Sequence, residues 1–213
     1  MRQKMDKKTD LSWLTIILHW GIALLVLVLF FLGIWMVDLN YYDPWYYDGP
    51  WWHKGFGVVL FGLLLWQGCW QFYRVKVVPL LAPGSWQARL SALMHFLLLF
   101  MTYLIILTGY FMVTGLGQGV IVFDWFSLPA LMLLGDNVMQ LFGDFHCYGA
   151  YFLMGLVSLH ILAALKHHFF DKDSVLIRML GKRGSWNEIR WVFIVLFVVV
   201  TNDCDGRWIW FWY

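Results

Sequence analysis

The protein has 213 residues, of which 62% are hydrophobic, 20% are aromatic and 13% are charged, and its formal net charge is +2. Soluble domains contain about 45–50% apolar and about 25% charged residues, so this composition excludes an ordinary soluble enzyme. The abundance of aromatic residues also excludes a disordered chain, because disordered chains are poor in them. The composition predicts an integral membrane protein that contacts membrane lipid and has no nucleic-acid partner.

Four apolar stretches are long enough to cross a bilayer, for which a helix needs about 20 residues. They cover residues 13–37, 51–73, 88–114 and 145–170. The predicted fold is therefore all-α, an integral membrane four-helix bundle within residues 13–183 that follows a short N-terminal segment, 1–12. The connection over residues 115–144 is apolar and rich in glycine, and it is long enough to fold over one mouth of the bundle.

The remaining segment, residues 184–213, is rich in aromatic side chains. Its longest apolar run, over residues 191–201, would be about 16 Å long as a helix, which is too short to cross a bilayer. We predict an interfacial helix here, with a contact surface for a partner protein as the alternative.

Charges outside the spans are distributed asymmetrically. Basic residues lie before span one, between spans two and three, and after span four: Arg2, Lys4, Lys7, Lys8, Arg74, Lys76, Arg89, Lys172, Arg178, Lys182, Arg183 and Arg190. The other two connections hold aspartates and no lysine or arginine, apart from Lys54 at the mouth of span two. Because basic residues favour the cytoplasmic side, this pattern predicts a multi-pass protein in which the segment before span one and the segment after span four both lie in the cytoplasm.

Histidines are the notable polar residues of the spans. His146 and His160 lie 14 residues apart in span four, which is about 40° short of four helical turns and about 21 Å along the axis. Both imidazoles therefore lie on one helix face at two depths. His53 opens span two at the depth of His146, and His19 lies about 12 Å into span one, near the level of His160.

Two histidines at each of two depths favour b-type haem iron with two axial imidazoles over zinc, which takes four clustered ligands. His95, in span three, lies at the same depth as His19, so periodicity leaves open which of the two pairs with His160. Gly33 and Gly109 each lie 14 residues after one of these two histidines, and we interpret them as clearance for the macrocycle.

His167 follows His160 by seven residues on nearly the same helix face, about 10 Å nearer the cytoplasm. One interpretation is a proton relay for a quinone or a partner for a haem propionate. The other is a histidine that reaches the membrane interface. His168 points away from this face, and we expect it at the interface.

Several motifs resemble those of the bacterial cytochrome b561 family. They are Ile17-Leu18-His19-Trp20, Trp52-His53-Lys54-Gly55, Met94-His95-Phe96 and, most specifically, Ala164-Leu165-Lys166-His167-His168-Phe169-Phe170-Asp171-Lys172-Asp173. The resemblance implies a bacterial inner-membrane cytochrome with two b-type haems. The implied axial ligands are His19 with His160 for the inner haem and His53 with His146 for the outer haem. It leaves His95 beside the inner haem as a candidate quinone-pocket residue.

The resemblance further implies an oxidoreductase or electron-transfer cytochrome that works between the quinone pool and a periplasmic donor or acceptor. One form would be a superoxide:quinone oxidoreductase, in which Lys54 is a candidate for attracting the anion. The alternative is a haem-bearing membrane anchor subunit of a larger respiratory or dehydrogenase complex. The sequence also leaves open whether the protein forms a homodimer.

The chain departs from the family pattern late in span two. Related proteins carry arginines there, whereas this chain has Gln67 and Gln71. If such arginines hold haem propionates, Arg74 or Arg89 would be the replacements. A metal-ion transporter is disfavoured, because it would place acidic or polar residues at mid-membrane, where apart from the histidines the spans offer little more than Thr102 and Gln67.

Overall fold

The computed structural model describes residues 11–73, 82 and 84–181. Its elements are α1 (Trp13–Val37), α2 (Asp48–Tyr73), α3 (Trp86–Thr114), β1 (Val120–Val122), β2 (Phe126–Leu128), α4 (Asp136–Phe169) and α5 (Val175–Met179). Helices α1 to α4 are all long and apolar enough to cross a membrane. The predicted membrane four-helix bundle is thus confirmed, with a small β-hairpin added. The interfacial helix predicted within residues 184–213 lies outside the described residues.

Helix starts follow local capping chemistry. The Ser12 hydroxyl accepts a hydrogen bond from the Thr15 N–H at 3.2 Å, and the Ser85 hydroxyl accepts one from the Ala88 N–H at 3.2 Å. Such side chains satisfy N–H groups that have no partner within the helix. Helix α2 begins with Asp48, a carboxylate favoured at the positive end of the helix dipole. Two helices therefore start slightly earlier than predicted, α2 at residue 48 instead of 51 and α3 at residue 86 instead of 88.

Helix α4 begins nine residues before the predicted start at residue 145. One glycine and two aspartates in this stretch favour a loop by local sequence, but long-range packing makes it helical. The Phe142 ring stacks on Phe111 of α3 with centroids 5.5 Å apart. Met139 lies over Gly115, where an added Cβ would be 2.5 Å from the sulfur atom. The extra turns of α4 therefore pack against the end of α3.

The four long helices form two closely packed pairs, α1 with α2 and α3 with α4. The pairs meet around a small core in which Leu29, Leu60 and Leu64 are buried. Tyr103 and Ile106 of α3 pack against this core from the other pair. The pairs approach each other far less closely than the helices within each pair do. This arrangement decides which histidines can lie on opposite sides of a ligand between the pairs.

Three buried threonines in α3 satisfy their own hydroxyl groups. Each donates to the backbone carbonyl four residues earlier: Thr102 to Leu98 at 2.7 Å, Thr108 to Leu104 at 2.9 Å and Thr114 to Tyr110 at 2.9 Å. Internal bonds of this kind remove the cost of a polar group within a bilayer. Their polarity is therefore accounted for within the helix.

The connection between α3 and α4 contains the hairpin. Strands β1 and β2 are antiparallel, with Val120 opposite Leu128 and Val122 opposite Phe126. Strand β1 packs against α2, and Val120 and Val122 are buried. The hairpin therefore lies beside the first turns of α2, at the end of the bundle that we call the hairpin end.

Helix α5 folds back at the opposite end, which we call the α5 end. Ile177 is buried there, and the Trp20 Nε1–H donates to the Met179 carbonyl at 2.9 Å. This bond ties α5 to the start of α1.

Candidate functional site

One histidine pair lies near the hairpin end of the bundle. His53 is in the second turn of α2 and His146 is in α4, and their ring centroids are 6.0 Å apart with an angle of 75° between the ring planes. The Nδ1 of His146 lies 2.8 Å from the carbonyl oxygen of Ile105 in α3. Because a carbonyl only accepts, Nδ1 carries the proton and donates it. The Nε2 lone pair of His146 is therefore free to bind a metal, as in many histidine-ligated sites.

Two glycines make room for these rings. A Cβ added at Gly109 would lie 2.7 Å from the His146 imidazole, and one added at Gly33 would lie 3.2 Å from the His53 ring. Both glycines, which we interpreted as clearance for the macrocycle, therefore also leave space for a histidine ring. The reason is that each glycine faces a histidine of another helix, which helical spacing alone does not reveal.

The second pair lies toward the α5 end. The His19 and His160 centroids are 6.5 Å apart with an interplanar angle of 52°. His95 is also close, with its centroid 5.2 Å from that of His160. The Nδ1 of His19 is buried and makes no hydrogen bond within the described part of the chain. The Nδ1 of His95 lies 2.7 Å from the Ser91 carbonyl of its own helix.

These distances suit iron held by two axial imidazoles. Two imidazoles that bind one metal from opposite sides have centroids roughly 6 Å apart, given metal–nitrogen bonds of about 2 Å. His53 with His146, and His19 with His160, each join the α1/α2 pair to the α3/α4 pair, where the helices leave most room. His95, by contrast, lies on α3, which packs directly along α4. The residues present therefore fit an iron ion held by two imidazoles at each level.

A multi-ligand metal cluster does not compete with this interpretation. Across residues 11–73, 82 and 84–181, no group of three or more His, Cys, Asp or Glu side chains is arranged to hold a metal ion. A structural zinc site requires four such ligands in one place. The histidines come together as one pair at the hairpin end and as a pair with His95 beside it at the α5 end.

Charged groups gather around His167 at the α5 end. Its Nδ1 lies 2.9 Å from a carboxylate oxygen of Asp171 and 2.9 Å from one of Asp173. The Lys166 ammonium also donates to Asp171, at 2.7 and 3.0 Å. The hydrogen bond from Lys166, together with the nearby charges of Lys166 and His167, holds the pKa of the Asp171 carboxyl below its usual range.

Three sequence-based expectations have different outcomes in the structure. His168, expected at the membrane interface, lies one residue before the end of α4 and is buried within the protein, with 2% of its surface exposed and its ring packed against Phe169. Arg89, a candidate replacement for the family arginines, is exposed at the start of α3. Arg74, the other candidate, lies outside the described residues.

Two features of the site were not predicted from the sequence. The first is the Ile105 carbonyl, which fixes the protonation of His146 and carries no sequence signal because every residue has a carbonyl. The second is Phe123, at the tip of the hairpin beside the start of α2. The turn residues around Phe123 could have indicated a tight turn, but not its contact with another helix.

Paired imidazoles between the helices of a membrane bundle define a class of protein, the membrane cytochromes. The family model for prokaryotic cytochrome b561 matches residues 10–182. The chain is 35% identical over 167 residues to Cytochrome b561 homolog 2 of Escherichia coli K12, an alignment that covers 78% of this chain and 89% of that protein. It is 28% identical over 113 residues to Cytochrome b561 homolog 1 of the same organism, covering 51% and 60% respectively.

The chain belongs to the prokaryotic cytochrome b561 family. It is a multi-pass membrane cytochrome of the kind that uses b-type haem for electron transfer.

Proposed function

We propose that the chain binds two b-type haems and passes electrons between the quinone pool and a redox partner on the outer face of the bacterial inner membrane. The observation that carries this proposal is that two imidazole pairs occur at two levels of the bundle. One pair includes His146 and the other includes His160, and both of these histidines lie on α4. Their positions on α4 are separated by about 21 Å along the axis. Two redox centres at this spacing would link one side of the membrane to the other.

At the hairpin end, His53 and His146 are the proposed axial ligands. The Ile105 carbonyl fixes the tautomer and orientation of His146, and Gly109 lets the ring approach α3. Bound haem supplies one-electron chemistry at its iron, with a potential tuned by the ligands and their surroundings. The protein's own contribution is to hold the two rings in place and to keep water away from them.

At the α5 end, His19 and His160 are the proposed axial ligands, with His95 beside them. Two arguments favour His19 over His95. First, His19 joins the two helix pairs, whereas His95 lies on a helix already packed along α4. Second, two axial imidazoles on one metal are expected to have centroids roughly 6 Å apart. The His19–His160 distance of 6.5 Å is nearer to this value than the His95–His160 distance of 5.2 Å.

Quinone chemistry is proposed at the α5 end, where the titratable side chains lie. His95 is exposed, and the bond from its Nδ1 to Ser91 leaves Nε2 available to a quinone oxygen. His167 is held between Asp171 and Asp173, so it can receive a proton from the aqueous side and pass it toward the quinone. Electron transfer to a quinone requires such protons, because the reduced quinol carries two.

The positive-inside pattern assigns the α5 end to the cytoplasm and the hairpin end to the outer face. Superoxide is one candidate electron donor there, because Lys54 is next to His53 and is only partly exposed. The surrounding connections carry aspartates, which would disfavour an anion and favour a partner with a basic surface. Comparing superoxide with a basic redox protein as donor to the purified cytochrome would discriminate between the two.

The proposal is tested by measuring haem in the detergent-purified chain. We expect two b-type haems per chain, from the reduced-minus-oxidised spectrum and the pyridine adduct. His53→Ala should remove one haem and leave the other, because one imidazole rarely retains a haem built for two. His19→Ala should remove the other haem, whereas His95→Ala should retain both and slow only the reaction with quinone.

Retention of both haems in His53→Ala would contradict the assignment at the hairpin end. Loss of a haem in His95→Ala, with both retained in His19→Ala, would reverse the assignment at the α5 end. A wild-type chain that binds no haem when expressed with ample haem would overturn the proposal.

A further inference from the structure

The tip of the hairpin adopts an unfavourable backbone conformation. The Val122 carbonyl accepts a hydrogen bond from the Trp125 N–H at 3.0 Å, which closes a tight turn. The two residues between them, Phe123 and Asp124, have φ values of +48° and +58°. This left-handed region favours glycine and is rare for a bulky side chain. Such conformations persist where the surrounding structure holds them, and they concentrate at functional sites.

The Phe123 side chain is held by aromatic rings of α2. Its centroid lies 5.3 Å from Trp51, 5.7 Å from Trp52 and 5.5 Å from Phe56. The ring also occupies the space above Gly55, where an added Cβ would lie 2.6 Å away. Aromatic packing of this kind contributes stability beyond the area that it buries. It therefore offsets the strain of the turn.

A second contact ties the same turn to α2. The Trp51 Nε1–H points to the Asp124 carboxylate with a separation of 3.4 Å. Both residues of the strained turn therefore contact the first two turns of α2. His53 lies within this stretch, between Trp52 and Gly55, and its ring packs against Gly33 of α1 on the other side.

We propose that Phe123 is a positioning residue for the His53–His146 site. Its ring fixes the start of α2, on which His53 lies, and covers the aqueous side of that segment with apolar surface. The inference rests on the proposed function, because it concerns the haem assigned to this pair. Its consequence is that the hairpin sets the redox potential of one of the two haems.

The direction of the effect follows from solvation. The hydrophobic shell of a metal site controls its access to water and its dielectric environment, and through these its redox potential. Ferric haem carries one more positive charge than ferrous haem, so water stabilises it more. Removing the Phe123 ring should admit water and lower the potential of the haem at His53. Loosening His53 should also change the 75° angle between the two imidazole planes, to which the ferric EPR spectrum is sensitive.

The experiment is a redox titration of the visible spectrum of the purified holoprotein, with EPR of the oxidised form. The variants are Phe123→Ala, Phe123→Leu and Gly55→Ala, and the last displaces the ring without deleting it. The matched control is Phe126→Ala, which removes a half-exposed ring from the same hairpin. The titration component that His53→Ala abolishes identifies the haem under study.

For Phe123→Ala we expect the oxidised-to-reduced ratio of that haem, at a fixed ambient potential, to rise by about three- to tenfold, where tenfold is 59 mV for a one-electron couple. Phe123→Leu and Gly55→Ala should give smaller shifts in the same direction with an altered EPR signal. Selective loss of this haem from Phe123→Ala would also support the inference. If Phe123→Ala does not fold, the potentials and EPR signals of Phe123→Leu and Gly55→Ala test the inference.

The inference is overturned if the potential and EPR signal of this haem are unchanged in the Phe123 and Gly55 variants. It is also overturned if the control shifts this haem equally, or if the haem at His19 and His160 shifts as much. These results would leave the proposed function intact, because the wild-type haem content and the His53→Ala result test that separately.

Discussion

At the scale of single residues, His146 can approach α3 closely because Gly109 has no side chain. A Cβ at position 109 would lie 2.7 Å from the imidazole, which is closer than real Cβ contacts allow. The ring cannot move away freely, because its Nδ1 is bonded to the Ile105 carbonyl. Gly109 is therefore required for the ring position rather than for flexibility of the helix.

We predict that Gly109→Ala lowers the affinity for haem at this pair by at least about tenfold, as for other changes that displace a metal ligand from its supporting bond. Haem content of the purified variant, measured as the pyridine adduct, checks this. Gly62→Ala is the matched control, because a Cβ at Gly62 meets no atom within 4 Å. Equal haem content in the two variants would contradict the prediction.

At the scale of elements, the turn that joins α4 to α5 is held by the charges of Lys166 and Asp171. Lys166 donates to both oxygens of Asp171 and lowers the pKa of that carboxyl. A carboxyl whose pKa is lower in the folded chain stabilises the fold above its ordinary pKa, and this stability is lost as the pH falls through the folded-state value. The turn should therefore be held more firmly at neutral pH than in acid.

Lys166→Met should raise the pKa of Asp171 toward its ordinary value, because the largest cause of the shift is the hydrogen bond from Lys166. An NMR titration of carboxyl-labelled aspartate in micelles measures this directly. Lys172→Met, on the same turn, should change the Asp171 titration much less. A pKa of Asp171 that stays unchanged in Lys166→Met would show that another group holds the carboxylate.

Some of the secondary-structure elements could be predicted from the sequence and others could not. The long helices follow from apolar runs, and their starts at Ser12 and Ser85 follow from capping chemistry. The first turns of α4 could not be predicted this way, because their stability comes from Phe111 and Met139 contacts between helices. The three-residue strands were missed for a related reason: β1 is buried against α2, which is far away in the sequence.

At the scale of the whole molecule, the orientation in the membrane sets the direction of the proposed electron path. The positive-inside pattern predicts the hairpin outside and the α5 end in the cytoplasm. In a chain with its cysteines replaced, a membrane-impermeant maleimide should label Ser127→Cys in intact spheroplasts. Lys172→Cys should be labelled only after the membrane is permeabilised. Both positions are exposed, so access to the reagent is decided by the membrane alone. The reverse labelling pattern would invert the proposed electron path.

The sequence by itself determined the membrane class, the four spans and the two levels of histidines, because composition and helical periodicity are properties of continuous segments. The sequence also paired His53 with His146 through their depth and the family resemblance. Only the tertiary structure decided that the Ile105 carbonyl bonds to His146, that Gly109 accommodates an imidazole, and that Phe123 packs on Gly55. These facts depend on how helices far apart in the chain rotate against each other. Such rotation is set by many side-chain contacts between helices, so it cannot be deduced from the sequence of any single segment.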